Sequence, residues 1–345
     1  MMQHAERTPR QSKLSLSRKA RDFAVDAAAF LTAVSIIASA IQFYRERPLR
    51  SRSTLFAAWE IVTGMEGKRA DGGRSEALRE LRASRQSLKG IDLDGAILFG
   101  TDLAGDDLSY ASLRRVELGR CNFDMTVLSQ AKFEHGEFRD HCTFRNASFD
   151  RTDIRDALFA DDDLSTALFT RAIADEKTSF NGATMSGATI DGSEFGHVIF
   201  DNTTLTKIVI RNSNISSATF LRADMNDCRL ALIAGNGAQF QKAHLEYCRF
   251  QWASSFSHAA FDGSDLKEAR FSNSDMSGAS FFNAQLDGAR FEDCDLRNAD
   301  FTSSHLAGVT FVRCKIDGAT FRDAKELSKD AFQDCDGKPR EVSLY

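Results

Sequence analysis

The sequence predicts an all-β fold in which the chain winds as a solenoid around a packed axis. From Phe256 to Phe321 every fifth residue is large and apolar. Two places before each of these residues the side chain is small, as at Ala279, Ala289 and Ala299. A five-residue period fits neither an α-helix, whose apolar stripe advances by three and four, nor a flat strand, which alternates every two residues. A chain that turns by about 90° every five residues would return each central residue to one common axis.

The same pattern extends over most of the chain, from Leu93 to Phe321, and Asp or Asn often precedes the central residue, as in Ala299-Asp300-Phe301. This resembles the pentapeptide-repeat family, whose pattern is A-(D/N)-L-x-x. The resemblance implies a right-handed quadrilateral β-helix with four pentapeptides in each coil. At a strand spacing of about 4.8 Å, about 11 coils would form a rod about 50–55 Å long. The predicted structural ladder includes Phe261, Leu266, Phe271, Phe281, Phe291, Phe301, Phe311 and Phe321.

Phenylalanine is unusually frequent, with 28 Phe against 3 Pro, and the ladder explains this composition. In the last third of the chain Phe alternates with Leu, Met or Ile at the central positions. In a square coil this alternation places Phe on two opposite faces and aliphatic residues on the other two.

The repeat frame shifts at a few points. One extra residue follows Phe138, a longer break covers 171–179, and one extra residue precedes Phe256. Gly235 occupies a central position, which predicts a local void or bulge. Insertions this small are expected to bulge the wall without breaking the rod.

The N-terminal part contains one long apolar segment, FAVDAAAFLTAVSIIASAIQFY, with basic residues on both sides. Its length suits a transmembrane helix. A soluble helix buried in an oligomer and a secretory signal ending near Ala38-Ser39-Ala40 are the alternatives. The predicted division of the chain is a disordered basic tail (1–22), a transmembrane helix (23–44), a helical linker and N-terminal cap (45–89), the β-solenoid (90–321) and a C-terminal cap (322–345).

One face of the apolar segment carries the polar residues Thr32, Ser35, Ser39 and Gln42. Steps of three and four place these residues together, and small and polar residues favour close helix packing in lipid. Self-association of the helix into a homo-oligomer is one interpretation. An alanine-rich anchor with incidental hydroxyl groups is the other.

The cap predictions rest on short helices on either side of the repeats. The segment 54–66 is amphipathic, and Ser75 is expected to cap a second helix that covers Leu93 and Leu98. The string AAWEIV…GGRSEALREL resembles the segment that joins membrane anchors to solenoids in some bacterial pentapeptide-repeat proteins. After the repeats, Ser328 is expected to cap a short helix in a C-terminal lid.

Six of the seven cysteines fall at the small inward position of the repeat and are interpreted as unpaired core residues of about alanine size. Free thiols favour a reducing compartment, so the expected location is the inner (cytoplasmic) membrane, with a single span and the rod on the cytoplasmic side. Basic residues flank the span on both sides, so the charge rule for membrane orientation barely discriminates.

No catalytic constellation stands out. The sequence lacks a nucleophile elbow, an HExxH motif and a dinucleotide-binding fingerprint. The densest polar cluster coincides with the first frame shift. It is interpreted as a solvated bulge of the wall, and a metal site is the alternative. Acids such as Asp161-Asp162-Asp163 are placed on the wall and the corner. We therefore expect no enzyme activity, no cofactor and no metal. The polar cluster consists of Glu134, His135, Glu137, Asp140 and His141.

Charge is divided unequally along the chain. Residues 1–89 carry +8 and the remainder −13, which together give the net −5 of the chain. The first predicted function is a membrane-anchored interaction or scaffold rod that binds an unidentified protein partner, with assembly of the membrane helices as an effector variant. The alternative is an acidic rod that mimics DNA and binds gyrase, as the resemblance to quinolone-resistance pentapeptide-repeat proteins implies. Arg and Lys are interspersed along the rod, and direct binding of nucleic acid is not expected.

Overall fold

The computed structural model describes residues 52–65 and 67–342. The chain divides into the units Met1–Ala57 and Ala58–Tyr345, and the whole solenoid belongs to the second unit. The predicted basic tail, the predicted transmembrane segment 23–44 and the polar face of that segment lie outside the described residues. Within the described residues, no helix has the length and apolar character needed to span a bilayer.

The solenoid is all-β and right-handed, and every strand in it is short and parallel to its neighbours. A three-stranded sheet (β1–β3) and a nine-stranded sheet (β4–β11 with β13) run along opposite sides, and β12 pairs with β14 near the end. The strands are β1 Ile97–Phe99, β2 Glu117–Gly119, β3 Glu137–Arg139, β4 Leu168–Thr170, β5 Thr189–Asp191, β6 Val209–Arg211, β7 Arg229–Ala231, β8 Arg249–Gln251, β9 Arg270–Ser272, β10 Arg290–Glu292, β11 Thr310–Val312, β12 Thr320–Phe321, β13 Phe332–Gln333 and β14 Arg340–Val342.

Each coil has four faces, which we number from the order of central residues in one coil. Face 1 contains Phe281, face 2 Leu286, face 3 Phe291 and face 4 Leu296, each with the central residues stacked above and below it. Single β-bridges continue the pairing where no strand is formed, at separations of 20 or 21 residues. The coil therefore contains four pentapeptides, as the resemblance implied.

Backbone hydrogen bonds between coils hold this geometry. Phe281 donates its N–H to the carbonyl of Asp300 in the next coil (2.7 Å), and Ser280 donates to Ala259 in the preceding one (2.9 Å). The residue two places after a centre adopts the left-handed conformation throughout the described repeats except after Ala174, for example Asn283 with φ 54°. This conformation turns the corner, and it explains why Gly, Asn and Asp recur there.

The axis is filled by stacked aromatic and aliphatic side chains. On face 1 ten phenylalanines from Phe138 to Phe321 stack with ring centroids 4.2–5.2 Å apart and planes within 9° of parallel. On face 3 a second stack runs from Phe250 to Phe332. The two stacks meet edge to face across the axis, as between Phe281 and Phe291 (5.7 Å, 86°). Faces 2 and 4 supply mainly aliphatic side chains in this part of the rod.

Three single-residue insertions are absorbed at corners. After Phe138 two consecutive residues, Asp140 and His141, have positive φ, and Trp252 and Ala253 repeat this arrangement. The expected long break at 171–179 is smaller than predicted. Its small residue Ala174 occupies a central position on face 4 and donates to the carbonyl of Glu194, so only one residue is extra.

The N-terminal cap consists of α1 (52–64) and α2 (Arg74–Ala83). Only these two short α-helices occur among the described residues, and the predicted helical anchor at 23–44 lies outside them. The sequence predicted that Ser75 would cap α2, but Ser75 does not cap it. The carboxylate of Asp71 accepts from the N–H (3.0 Å) and the hydroxyl (3.1 Å) of Ser75 and so performs that task.

Helix α2 covers the first coil. Leu78 and Leu81 are fully buried, as is Leu93 beneath the cap. Arg82 donates to the carbonyl of Ala104 (2.7 Å) and pairs with the carboxylate of Asp106 (2.6 Å). The helix thus protects the apolar end of the axis and holds the first face 2 segment.

The C-terminal segment continues the solenoid beyond Phe321. Ser328 accepts from the N–H of Asp330 (3.2 Å) at the start of a 3-10 helix, Lys329–Ala331. Phe332 follows and stacks on Phe311 of face 3 at 5.1 Å. The C-terminal segment is therefore built partly from the same ladder.

Cysteines stack in adjacent coils because they share the inward position. Cys228 and Cys248 form a disulfide, so the expectation that all inward cysteines are unpaired is wrong for this pair. The free buried cysteines are Cys121, Cys142, Cys294 and Cys314, and Cys335 is half-buried.

Candidate functional site

The outer wall of the solenoid carries the chemically variable side chains. Each pentapeptide directs the residues immediately before and after the centre, and the corner residue, away from the axis. Around Phe281 these are Ser280, Phe282 and Asn283. The structural ladder is itself excluded from contact with solvent. Every residue predicted for it is buried: Phe261, Leu266, Phe271, Phe281, Phe291, Phe301, Phe311 and Phe321.

Depressions in the described wall are open and lie between coils or beside the cap. One lies between α2 and the first coil, where Arg79, Arg82 and Asp102 lie around the exposed ring of Phe99. The guanidinium of Arg120 lies 5.3 Å from the centre of that ring. These are open depressions on the surface rather than enclosed cavities.

The polar cluster at the first frame shift does not converge on a point. Glu134 pairs with Arg114 (2.7 Å) and Arg155 (2.8 Å), and Nδ1 of His135 lies 2.6 Å from a carboxylate oxygen of Asp156. Glu137 is engaged by Arg139, and His141 points to the carbonyl of Asp161 (2.9 Å). Within residues 52–65 and 67–342, no group of His, Cys, Asp and Glu side chains is arranged to hold a metal ion.

Asp162 is the one acid of the Asp161-Asp162-Asp163 run that our interpretation misplaced. It lies at the inward position two residues before Leu164 and is 1% exposed. Its Oδ1 accepts from the N–H of Cys142 (2.8 Å), and its Oδ2 has no partner in the described structure. Burial raises the pKa of this carboxyl to about 8, because the charged form loses hydration. Counting back two residues from Leu164 would have revealed this placement.

Several arginines on the wall are paired with carboxylates of a neighbouring coil. Arg313 contacts Asp293 (2.8 Å), and Arg211 contacts Asp191 (3.0 Å). These pairs are partly exposed, and each contributes about 0–1 kcal/mol to stability. Their main effect is to neutralise charge locally along the rod.

Face 3 carries a different arrangement, which we call the arginine ladder. Its members occupy the outward position before the centre in four consecutive coils and are Arg229, Arg249, Arg270 and Arg290. All four are exposed. Arg290 lies 3.2 Å from Glu292, whereas the other three make no ion pair with any residue that the structure describes. Sequence reasoning missed the ladder, although aligning the chain in steps of 20 and 21 residues would have revealed it.

Comparison with known proteins agrees with the five-residue architecture. Residues 243–321 match the family described as "Pentapeptide repeat region". A segment of 110 residues is 30% identical to the quinolone resistance pentapeptide repeat protein QnrB96 of Scandinavium goeteborgense. That segment is 32% of this chain and 51% of the relative, so the chain spans about half the length of this relative.

Solved structures with similarity to the chain include two solenoids. HetL, a pentapeptide repeat protein involved in heterocyst differentiation regulation in Nostoc sp. strain PCC 7120, is 22% identical, with 76% of this chain and 93% of HetL covered and a TM-score of 0.23. QnrB1, a plasmid-mediated fluoroquinolone resistance protein, is 14% identical, with 57% and 88% covered and a TM-score of 0.28. With scores this low, the fold assignment rests on the strand pairing of this chain.

The matched segment and the coils on either side of it, each built from four pentapeptides, lead to one conclusion. The chain is a right-handed β-solenoid, its residues 243–321 match the pentapeptide repeat family, and it is similar to a quinolone resistance protein over 110 residues.

Proposed function

We propose that this chain is a non-enzymatic interaction rod that binds a protein partner through its outer faces. The observation that carries the proposal is the division between a filled axis and a wall on which outward side chains form straight columns. Because the centres are fully buried stacks, variation in chemistry is confined to the wall. Columns with a pitch of about 4.8 Å on a stiff scaffold provide long surfaces with low ordering cost on binding.

Site-specific photocrosslinking in the full chain tests this function. A photoreactive phenylalanine analogue is placed in turn on each face in cells that produce the protein, at Gln239, Gln285, Gln251 and Asn236 on faces 1 to 4. We expect one face to give a discrete adduct with one protein, and the other faces to give little. If none of the four faces gives a light-dependent protein adduct, the proposal is wrong.

We propose further that residues 23–44 attach the rod to the inner membrane by a single span, with the rod in the cytoplasm. The length and composition of that segment support the span. The free buried cysteines support the cytoplasmic side, whereas the disulfide between Cys228 and Cys248 opposes it. Washing membranes with carbonate tests it, with the full chain compared to Val34→Lys/Ile37→Lys. Retention of the unaltered chain and release of the variant are expected. If both proteins are soluble, the membrane part of the proposal is wrong. Crosslinking in membranes would test association through the face of Thr32, Ser35, Ser39 and Gln42.

DNA mimicry is the second candidate function, and the sequence relationship to a quinolone resistance protein favours it. Face 4 carries outward carboxylates in neighbouring coils, Asp275 and Asp295, which are aligned in register. Negative charge in a line along a rod can occupy a groove that otherwise binds DNA. The arginine ladder on face 3 opposes the uniform negative surface that a complete mimic requires.

A supercoiling assay with purified gyrase and a fluoroquinolone distinguishes this candidate. A DNA mimic of this type is expected to protect gyrase from the drug, or to inhibit supercoiling, in proportion to its concentration. If the full chain changes neither drug sensitivity nor supercoiling, gyrase is eliminated as the partner, and the interaction rod stands without it.

A further inference from the structure

We propose that the arginine ladder is a docking surface for an acidic α-helix of a partner protein. The inference rests on the proposed interaction function and deepens it, because it names the face and the chemistry of the partner. The first argument is the lack of pairing. Arg229, Arg249 and Arg270 have no carboxylate within ion-pair distance in the described structure. Other wall arginines, such as Arg151 and Arg222, also lack one, so what sets the ladder apart is that three unpaired arginines lie opposite each other in consecutive coils.

The ladder is an unfavourable arrangement for the solenoid alone. In-register pairing brings Arg249 opposite Arg229 on one side and opposite Arg270 on the other. Strands lie about 4.8 Å apart, and like charges directly opposite each other destabilise a sheet. Three unpaired guanidinium groups in a column therefore add repulsion without a compensating contact in the fold. An anionic partner would relieve that repulsion.

The charged groups around the ladder leave it open to a partner. Asp227 and Glu268 lie at the corner before the strands, yet neither pairs with a ladder arginine. Tyr247 and Trp252 lie at the two corners beside Arg249 and are 58% and 63% exposed. Tyr, Trp and Arg dominate the residues that contribute most to protein–protein affinity. Cationic side chains bordered by exposed aromatic rings thus favour a protein surface as the occupant.

The spacing of the ladder selects a helix. Four arginines with three steps of about 4.8 Å span about 14–15 Å in a straight line. Acidic residues at positions i, i+3, i+7 and i+10 of an α-helix span about 15 Å along one face. Same-side residues of an extended peptide are about 6.7 Å apart and would cover about 20 Å over three steps. Phosphates of a duplex wind around its axis and do not remain in a straight column.

A binding experiment with defined peptides and the full-length protein tests this geometry. The probe is a fluorescent alanine-based peptide of about 18 residues, long enough to form a helix, with Glu at i, i+3, i+7 and i+10. A second peptide has the same composition, with its four Glu distributed around the helix. Fluorescence anisotropy is measured at low salt and again at about 0.15 M, since exposed charge contacts weaken as screening increases.

Two double variants separate the ladder from general charge. Arg249→Gln/Arg270→Gln removes the centre of the ladder. Arg151→Gln/Arg222→Gln removes the same charge from exposed corners away from it. We expect the one-face peptide to bind more tightly than its isomer and to lose about tenfold in affinity with the ladder variant only. Equal binding of the two peptides, or equal losses in the two variants, would overturn the proposal.

A single-stranded oligonucleotide of the same total charge is a third probe. If it binds the ladder more tightly than the one-face peptide does, the occupant is a nucleic acid and the helix proposal is wrong. Unfolding by urea supplies an independent readout. Removal of an unpaired like-charge column should leave stability unchanged or raise it, whereas loss of stability would indicate a structural role instead.

Failure of this inference and failure of the interaction function are distinguishable. If the peptides do not discriminate but photocrosslinking still yields a protein adduct on faces 1, 2 or 4, only the ladder proposal fails. If no face yields an adduct, the interaction function itself fails.

Discussion

The ring of Phe256 occupies the space above Gly235 that a side chain at that position would need. A Cβ built on Gly235 would lie 2.6 Å from Cε1 of Phe256, well inside van der Waals contact. Both residues occupy central positions on face 4, one coil apart. The sequence predicted a void or a bulge at Gly235, and the structure instead places a larger side chain from the next coil against it.

The first prediction concerns this pair. Gly235→Ala should destabilise the solenoid by about 1–3 kcal/mol, because the rigid ring of Phe256 cannot move aside without disturbing the aromatic rings packed around it. Adding Phe256→Leu should recover part of that loss. Urea unfolding measures both. Gly196→Ala is the matched control, since a Cβ there meets nothing closer than 3.4 Å. Equal effects at the two glycines would contradict the packing argument.

The second prediction concerns the aromatic stack on face 1. Phe240 stacks on Phe220 at 4.8 Å and on Phe261 at 4.9 Å, and it is fully buried. Phe240→Ala should reduce the free energy of unfolding by about 3–5 kcal/mol, through lost burial and the cavity that remains. The exposed Phe282 is the control, where truncation to Ala should change stability by no more than about 0.5 kcal/mol. A small effect at Phe240 would mean that the axis collapses readily around a gap.

The third prediction is a pH dependence due to Asp162. Its folded pKa of about 8 lies above the ordinary value of 3.8, so the folded state binds a proton more tightly than the unfolded chain does. Its contribution to stability is therefore most favourable below about pH 4 and declines as pH rises toward about 8.

Asp162→Asn keeps an acceptor for the N–H of Cys142 and cannot ionise. The free energy of unfolding of the variant should exceed that of the unaltered chain at pH 7 by about 1–3 kcal/mol or more. The difference should vanish near pH 3. Denaturant unfolding across this range measures the difference. The exposed neighbour in Asp161→Asn serves as the control. A constant difference at all pH values would contradict an ionisation effect.

The fourth prediction concerns the cap. Arg82 joins α2 to the first face 2 segment through Asp102 (2.8 Å), Asp106 and the carbonyl of Ala104. Arg82→Ala should release this corner and increase amide hydrogen exchange in the first coil, while coils far from α2 remain protected. Arg79→Ala, at an exposed position on the same helix, is the comparison. If protection falls equally throughout the rod, the cap stabilises the whole solenoid rather than its first coil.

The repeat period predicted the fold well because each central residue fills a position that recurs every five residues. Phe281 and Leu286 could be assigned to the axis from that count alone. Asp162 could also have been assigned by the same count, but its charge suggested the wall. The disulfide between Cys228 and Cys248 was missed because the inward position was interpreted only in terms of size.

The wall was harder to predict, because pairing between coils depends on the accumulated number of inserted residues. Arg249 and Arg270 are 21 residues apart, whereas Arg229 and Arg249 are 20 apart, so a fixed period does not align all three. The sequence analysis placed one extra residue before Phe256, and the structure shows that it is absorbed at Trp252 and Ala253, so that the column continues straight.

Each positive-φ corner turns the chain by about a quarter turn. The face on which a side chain lies therefore depends on the number of pentapeptides that precede it. Deleting one pentapeptide from the coil before Arg249 would rotate every later residue by a quarter turn relative to the cap, whereas deleting a whole coil would preserve all orientations and shorten the rod by about 4.8 Å. Two rods that differ in length by whole coils would therefore present the same surfaces at different distances from their N-terminal end. A partner that binds one face of this molecule would therefore tolerate insertion or deletion of whole coils, but not of a fraction of a coil.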